Sequence, residues 1–259
     1  MASPTRRTAH RLLVSALALA VTAPAADAQL RNGFRSTLAP RGDDTVTPFA
    51  NFGFGVNLRG GTYTSASACM NGYLSLGIPF DPNTCIYAGQ TTGLATLPQF
   101  ADVFGTAVVG VFRDLNSSPA ASGQLGYGGG TVDGRQAFGF TWDGVFGFGT
   151  TSPYFLQLLF VNRSGDFAAG DFDLEYNYGA LPAAGGVAGV ADDGGFSTTQ
   201  TQYTAAVTPT ANSRTVQCFR AGTVNNALCA TAVVPEPSTV ALTAAGLGAL
   251  VVAARRRAA

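Results

Sequence analysis

The sequence predicts an all-β, β-sandwich-like domain flanked by an N-terminal signal helix and a C-terminal single transmembrane helix. Short segments with a period of two in their apolar residues recur along the middle of the chain. Clusters of Gly, Asn, Asp and Pro separate them, and each end carries an uncharged apolar run. Charged residues make up only 12% of the chain and there are 33 glycines, which favours a β-rich exported protein over a charged helical one.

Residues 1–28 have the three parts of a secretory signal peptide. A basic start, an apolar run and the small-x-small sequence Ala26-Asp27-Ala28 follow one another in the required order. That order argues against the alternative, a buried core helix. We expect the mature chain to begin at Gln29, with an N-terminal segment over residues 29–43.

The other end, residues 235–259, has a comparable three-part pattern. Pro235-Glu236-Pro237 precedes an uncharged run that, counted from Ser238, has 17 residues. As a helix it would span about 26 Å, the lower limit for crossing a bilayer. The following Arg255, Arg256 and Arg257 should stay on the cytoplasmic side and leave the rest of the chain outside.

This order closely resembles the PEP-CTERM sorting signal of bacterial exported proteins. The resemblance implies that a membrane exosortase recognises Pro235, Glu236 and Pro237 and cuts near them. The protein would then pass from the inner membrane to the cell surface or to an exopolysaccharide matrix. The alternative is an ordinary C-terminal anchor with an incidental Pro-Glu-Pro, which also leaves the body of the protein outside the cytoplasm.

Between the two ends, the alternating pattern predicts a domain over residues 44–193 and a smaller C-terminal β segment over residues 194–234. We expect strands at 52–58, 73–76, 107–112, 136–142, 154–161, 171–178, 187–191, 203–207, 215–219 and 228–234. Gly128–Gly130, Asp133-Gly134 and Ser164-Gly165 are interpreted as turns. No long amphipathic helix is predicted between the ends, and a β-sandwich would bury these half-apolar strands.

Residues 44–193 resemble the nidogen-like (NIDO) extracellular domain. The sequences NGYLSLG at Asn71–Gly77, YFLQLLF at Tyr154–Phe160 and FDLEYNY at Phe172–Tyr178 occur in the order of that family. Phe100-Ala101-Asp102-Val103 and Phe138–Trp142 lie between them, also in order. The resemblance implies an extracellular adhesion or matrix domain and supplies no catalytic residues.

Four cysteines in an exported chain predict two disulfides. Three pairings are possible, and the short separations favour Cys69–Cys85 and Cys218–Cys229, with the second closing a hairpin ahead of the sorting signal. The alternative, a metal site, lacks both C-x-x-C spacing and histidine.

Asp171, Asp173 and Glu175 alternate along one predicted strand, so they form a row of carboxylates about 7 Å apart. Such a row needs water, arginine or a hard cation such as Ca²⁺ to screen it. The alternative to a weak Ca²⁺ site is a solvated outer face of a sheet. Asp192-Asp193, before Gly194-Gly195, is interpreted as a turn.

Composition excludes several functions. Residues 29–234 carry nine Arg against twelve Asp and one Glu, a net charge of −4, so no nucleic-acid partner is expected. The only histidine, His10, lies in the predicted signal peptide, which disfavours His-based catalysis and zinc binding. Nothing marks a pair of carboxylates for glycoside hydrolysis, and Trp142 lies on a strand predicted to be buried rather than exposed for sugar stacking.

We therefore predict a non-enzymatic protein without cofactor, structural or adhesive, at the cell surface or in the extracellular matrix. Its expected partners are an exosortase, the inner membrane through the C-terminal helix, and exopolysaccharide or other matrix proteins. A glycan-binding module, with or without Ca²⁺, is the alternative, and a polysaccharide-active hydrolase is the third interpretation.

Overall fold

The computed structural model describes residues 30–80, 85, 96–182, 186–193 and 202–229. These residues form two antiparallel sheets, one short α-helix and one turn of 3₁₀ helix. The elements are β1 Thr37–Leu38, β2 Ala50–Leu58, β3 Gly61–Cys69, β4 Tyr73–Ser75, α1 Leu97–Phe104, β5 Thr106–Val109, β6 Leu115–Asn116, β7 Gln124–Val132, β8 Arg135–Gly147, β9 Pro153–Asn162, β10 Phe172–Tyr178, β11 Gly189–Asp192, β12 Tyr203–Ala206, β13 Ser213–Arg220, β14 Thr223–Val224 and the 3₁₀ helix Asn226–Leu228.

The first sheet has the strand order β1-β7-β8-β9-β10-β13-β14, with β6 also paired to β8. The second sheet has the order β12-β11-β5-β4-β3-β2. The all-β prediction is therefore confirmed for the described residues. The predicted signal helix and transmembrane helix lie outside them, and no helix among the described residues is long and apolar enough to cross a membrane.

Aromatic side chains join the two sheets. The Phe52 ring of β2 lies 4.8 Å from the Phe160 ring of β9, between centroids. The Trp142 indole N–H donates to the Met70 carbonyl at 2.8 Å, and the Tyr178 hydroxyl donates to the Gly110 carbonyl at 2.9 Å. Because these polar tips are satisfied, the large rings can be fully buried at little cost. The prediction that Trp142 belongs to the core is confirmed.

Helix α1 packs against the second sheet through rings. Tyr73 of β4 contacts Phe100 and Phe104, with ring centroids 5.2 and 5.4 Å away. The Thr96 N–H donates to the Gln99 side-chain oxygen at 2.9 Å, which is half of a capping box. The helix ends at Phe104, and the following Gly105 has a φ of 69°, which suits a residue without a Cβ.

Two long strands were not predicted, β3 and β7. Residues Gly128–Gly130 lie within β7 and not in a turn, so that interpretation was wrong. The strand pairs with β8 without interruption from Gln124 opposite Asp143 to Val132 opposite Arg135. Glycine is tolerated here because residues 34–38 lie against this face of the sheet, where a Cβ on Gly126, Gly128 or Gly130 would meet them.

The expected boundary at residue 193 does not separate two units in the described residues. Strand β12 pairs with β11 in the second sheet, and β13 pairs with β10 in the first. The Gln217 amide of β13 donates to the Ala205 carbonyl at 3.0 Å and its oxygen accepts from the Tyr176 hydroxyl at 3.0 Å. The segment therefore completes both sheets.

The end of this segment also differs from the prediction of a strand at 228–234. Residues Asn226–Leu228 form a 3₁₀ turn, with the Leu228 N–H bonded to the Asn225 carbonyl at 3.1 Å. The Cys218–Cys229 disulfide fixes the residue after this turn to β13. Residues 230–234 lie outside the described residues.

Candidate functional site

The predicted row of carboxylates lies on the outer face of the first sheet. Asp171 precedes β10, and Asp173 and Glu175 belong to it, while Phe172, Leu174 and Tyr176 point to the opposite, core-facing side. All three acids are nonetheless buried, with exposed fractions of 4% to 6%. The expected solvated face was therefore wrong.

Two arginines hold Asp173. The Arg163 Nε donates to one carboxylate oxygen at 2.5 Å, and the Arg220 Nη2 donates to the other at 2.7 Å. Arg163 also contacts Asp166 at 2.9 Å, and the Arg220 guanidinium lies 4.2 Å from the centre of the Phe167 ring. Because a buried charge is tolerated only when it is paired, this cluster is a structural network rather than an open ligand site.

The outer ionisable residue of this network, Asp166, has an ion pair with Arg135 at 2.6 Å. The hydrogen bond from Arg135 lowers the pKa of the Asp166 carboxyl below its ordinary value, against a smaller effect of burial. The acid therefore stays ionised, which suits its role as a surface bridge to Arg163.

Glu175 is held in a different way, by the N-terminal segment. The Arg31 Nε and Nη2 donate to its two oxygens at 2.8 and 3.1 Å. Gln157 fixes the backbone of Arg31, because its oxygen accepts from the Arg31 N–H and its amide donates to the Arg31 carbonyl, both at 2.9 Å. This arrangement imitates a pair of sheet hydrogen bonds.

Backbone N–H groups satisfy Asp171. Its two oxygens accept from the N–H of Ala221 at 2.9 Å and of Ala168 at 3.3 Å. Protein donors therefore occupy all three carboxylates of the predicted row, and no group of three His, Cys, Asp or Glu among the described residues could hold a metal ion. The Ca²⁺ interpretation of Asp171, Asp173 and Glu175 is withdrawn.

The cover of this face is the N-terminal strap, residues 30–38, which the sequence did not predict. Phe34, Val132, Ala137, Leu159 and Val161 form a second small apolar cluster beneath it. The strap lies in a groove lined by glycines. A Cβ added to any of them would come within about 3 Å of Phe34, Ser36 or Leu38 of the strap. These glycines are Gly126, Gly128, Gly130 and Gly139. Alternating glycines in β7 are therefore the sequence signal for this docking.

Beside the strap lies a cleft of about 560 Å³. One wall is the strap, from Leu30 to Gly33 together with Arg35. The other wall comes from the first sheet and the turns at its end: Thr141, Asp143, Phe155, Gly179 and Asn212. Arg35 and Asp143 form an ion pair across it.

A second acidic group lies where the N-terminal segment meets β6. Burial, and then repulsion from Asp43 and Asp44, raises the pKa of Asp114 from 3.8 to about 6. The Asn71 amide of the NGYLSLG sequence donates to Asp44 at 2.7 Å, and its oxygen accepts from the Leu115 N–H at 2.8 Å. Asn71 thus organises this corner of the fold.

The prediction of a turn at Asp192-Asp193 is wrong for Asp192. Asp192 is the last residue of β11 and is buried. Its carboxylate accepts from the Thr106 hydroxyl at 2.6 Å, and that hydroxyl also meets the Tyr63 hydroxyl at 2.8 Å. The Gly194-Gly195 pair lies outside the described residues.

The two disulfide pairs that the short sequence separations favoured are confirmed. Cys69 bonds Cys85 and Cys218 bonds Cys229, with Cα atoms 5.3 and 5.6 Å apart, which is the ordinary spacing of a disulfide. Cys218 lies in the first sheet, and Cys69 ends a strand of the second. The predicted sorting residues Pro235, Glu236 and Pro237 and the arginines Arg255, Arg256 and Arg257 lie outside the described residues.

Comparisons with known proteins agree with both resemblances. A family model described as NIDO related matches residues 28–224, and a model of the PEP-CTERM protein-sorting motif matches residues 233–257. Neither a curated protein nor a solved structure matches the chain. The first model covers both sheets, the strap and β13, well over half of the sequence. The chain belongs to the NIDO-related family and ends in the PEP-CTERM sorting motif of exported proteins.

Proposed function

We propose that this protein is a non-catalytic structural component of the bacterial cell surface or exopolysaccharide matrix, delivered there by an exosortase. The observation that carries the proposal is the pairing, in one chain, of a NIDO-related body with a PEP-CTERM motif directly after it. A sorting motif supplies a route out of the cell, and a rigid two-sheet body gives a structural unit to deliver.

The chemistry of the body supports a structural role. The acids on the outer face of the first sheet, which carboxylate-based hydrolysis would require to be accessible, are bonded to arginines and backbone N–H groups. Two disulfides bridge the described fold, as is common in proteins that must persist outside the cell.

The position of the second disulfide supports delivery at the membrane surface. Cys229 is fixed to β13, and Pro235 is six residues further along the chain. Six residues reach at most about 21 Å when extended. The folded body would therefore stay close to the bilayer while an exosortase acts on the motif.

The sorting step is tested by replacing Glu236 with alanine in the full chain, with Thr239→Ala as the matched control just outside the motif. We expect Glu236→Ala to remain at full C-terminal length in the membrane fraction. Thr239→Ala should be processed like the parent, as read by intact mass and cell fractionation. An unchanged mature mass and location for Glu236→Ala would contradict the proposal.

The structural role is tested by deleting the gene and measuring the protein and polysaccharide retained in the matrix. We expect the matrix of the deletion strain to lose cohesion. Expression of the full chain should restore cohesion, and expression of the Glu236→Ala chain should not. Turnover of a polysaccharide panel by the purified protein, abolished by a single Asp→Asn change, would instead establish the hydrolase interpretation.

A further inference from the structure

We propose that the cleft beside the N-terminal strap binds an uncharged oligosaccharide. The inference deepens the proposed matrix role by naming a ligand class and a place on the molecule. At about 560 Å³ the cleft lies within the range of roughly 300–1,000 Å³ that is usual for small-molecule sites.

The wall of the cleft that the first sheet contributes offers an aromatic surface. Phe155 lines it and is only partly buried, although its neighbours in β9 are core residues. Its ring lies against Gly144, and Gly179, which shares the same outer face, has no side chain to cover it. The C–H faces of sugar rings can pack on the accessible part of such an aromatic ring.

The charges of the cleft are compensated within the protein. Arg31 is bonded to Glu175, and Arg35 is paired with Asp143. The site therefore offers fixed, oriented polar groups with little net charge, which suits sugar hydroxyls better than an anionic or cationic ligand. Side-chain amides at Asn32 and Asn212 add donors and acceptors of the kind that hydroxyl groups use.

Asn212 allows a clean test because of its backbone. It has a φ of 54° and is exposed at the rim, immediately before β13. Asn212→Gly therefore removes the amide while keeping a residue that accepts this conformation. Ala221, immediately after β13, also has a positive φ of 50°. Ala221→Gly therefore introduces the same backbone freedom at the opposite end of the strand without removing a hydrogen-bonding side chain.

The experiment is a calorimetric titration of the mature exported protein with two uncharged probes, cellotetraose and maltotetraose, and one anionic probe, tetragalacturonate. We expect saturable binding of at least one uncharged probe, independent of chelator and little changed by salt. Loss of one hydrogen-bonding side chain in Asn212→Gly should weaken it about 3- to 10-fold. Phe155→Ala should weaken it at least as much, and Ala221→Gly should bind like the parent.

Three results would overturn the inference: no saturable binding of either uncharged probe, equal affinity in Asn212→Gly and the parent, or binding confined to tetragalacturonate and lost with salt. Processing and fractionation of the Asn212→Gly chain in the same cells separate this inference from the proposed function. Loss of sugar binding with normal sorting and normal matrix cohesion would leave the structural role intact.

Discussion

Arg31 and Glu175, 144 residues apart in the chain, form a two-point ion pair that fixes the N-terminal strap to the outer face of the first sheet. The Glu175 side chain is 8% exposed and that of Arg31 is 22% exposed. Because the pair is shielded from water, the arginine neutralises a charge that could not otherwise be buried there. The strap is thus part of the fold rather than a loose leader.

The first prediction concerns this pair. Arg31→Ala should lower the free energy of unfolding by about 2–4 kcal/mol. Among the described residues, Glu175 would keep one distant cation, Arg214 at 4.0 Å, and one long hydrogen bond from the Asn177 amide at 3.4 Å. Hydrogen exchange should also accelerate in residues 30–36. Arg135→Ala, at the more exposed pair with Asp166, should cost about 0–1 kcal/mol. Equal losses in the two variants, measured by urea denaturation, would contradict the burial argument.

The second prediction concerns the buried network around Asp173. Asp173→Asn removes the charge that Arg163 and Arg220 share, leaving Arg220 without an acidic partner among the described residues. We expect a loss of about 3–5 kcal/mol, the usual effect of breaking a buried pair. Asp166→Asn, whose acid lies nearer the surface, is the control and should lose clearly less. A Tm of Asp173→Asn within 2 °C of the parent, on the scale of roughly 2–4 °C per kcal/mol, would refute the prediction.

Metal removal gives a third prediction. Because arginines and N–H groups occupy Asp171, Asp173 and Glu175, we expect the same Tm for the mature protein in excess Ca²⁺ and in excess chelator. Differential scanning calorimetry at constant ionic strength is the measurement. A rise in Tm that depends on Ca²⁺ concentration would contradict this prediction.

The glycines of β7 supply a fourth prediction. A Cβ on Gly130 would lie 2.9 Å from the buried Phe34 ring, whereas on the neighbouring Gly129 nothing would be closer than 3.8 Å. Gly130→Ala should therefore cost about 1–3 kcal/mol by overpacking, and Gly129→Ala should change stability by less than about 0.5 kcal/mol. Chemical denaturation of the two variants decides it: a loss at Gly129 as large as at Gly130 would mean that backbone freedom, and not the strap, explains the glycines.

The fifth prediction is a pH dependence at Asp114, whose pKa is raised from 3.8 to about 6 in the folded protein by burial and by Asp43 and Asp44. Between about pH 4 and 6 the unfolded chain releases this proton while the folded chain keeps it. The Asp114 contribution to stability therefore falls as pH rises through this window and is constant above it.

Asp114→Asn should remove this contribution, so that the variant gains stability relative to the parent at pH 7 but not at pH 4. Asp102→Asn, an exposed acid on α1, is the control and should keep the pH profile of the parent. Urea denaturation at a series of pH values is the measurement. Parallel profiles for Asp114→Asn and the parent would disprove the assignment.

Much of the fold could be predicted from the local pattern of apolar and polar residues. The alternation at Phe172–Tyr178 and the apolar run at Tyr154–Phe160 predicted central strands, and both strands pair on two sides in the first sheet. Strand β3 was not predicted because its sequence, GTYTSASAC, has too few large apolar residues to show a period of two. Strand β7 was not predicted because a run of glycines, considered without its tertiary contacts, indicates a turn.

The amino-acid sequence was enough to predict the class of the domain and the terminal sorting pattern and to favour the two disulfide pairs, because those signals are periodicity, the order of short motifs and cysteine separation. The partners of Asp173 and Glu175 on β10, and the position of the N-terminal strap, became known from the packing of the sheets. A period of two tells which side chains share a face, but not what covers that face. Arg31, Arg163 and Arg220 reach Asp173 and Glu175 from three separate parts of the chain, and only the packed sheets bring them together.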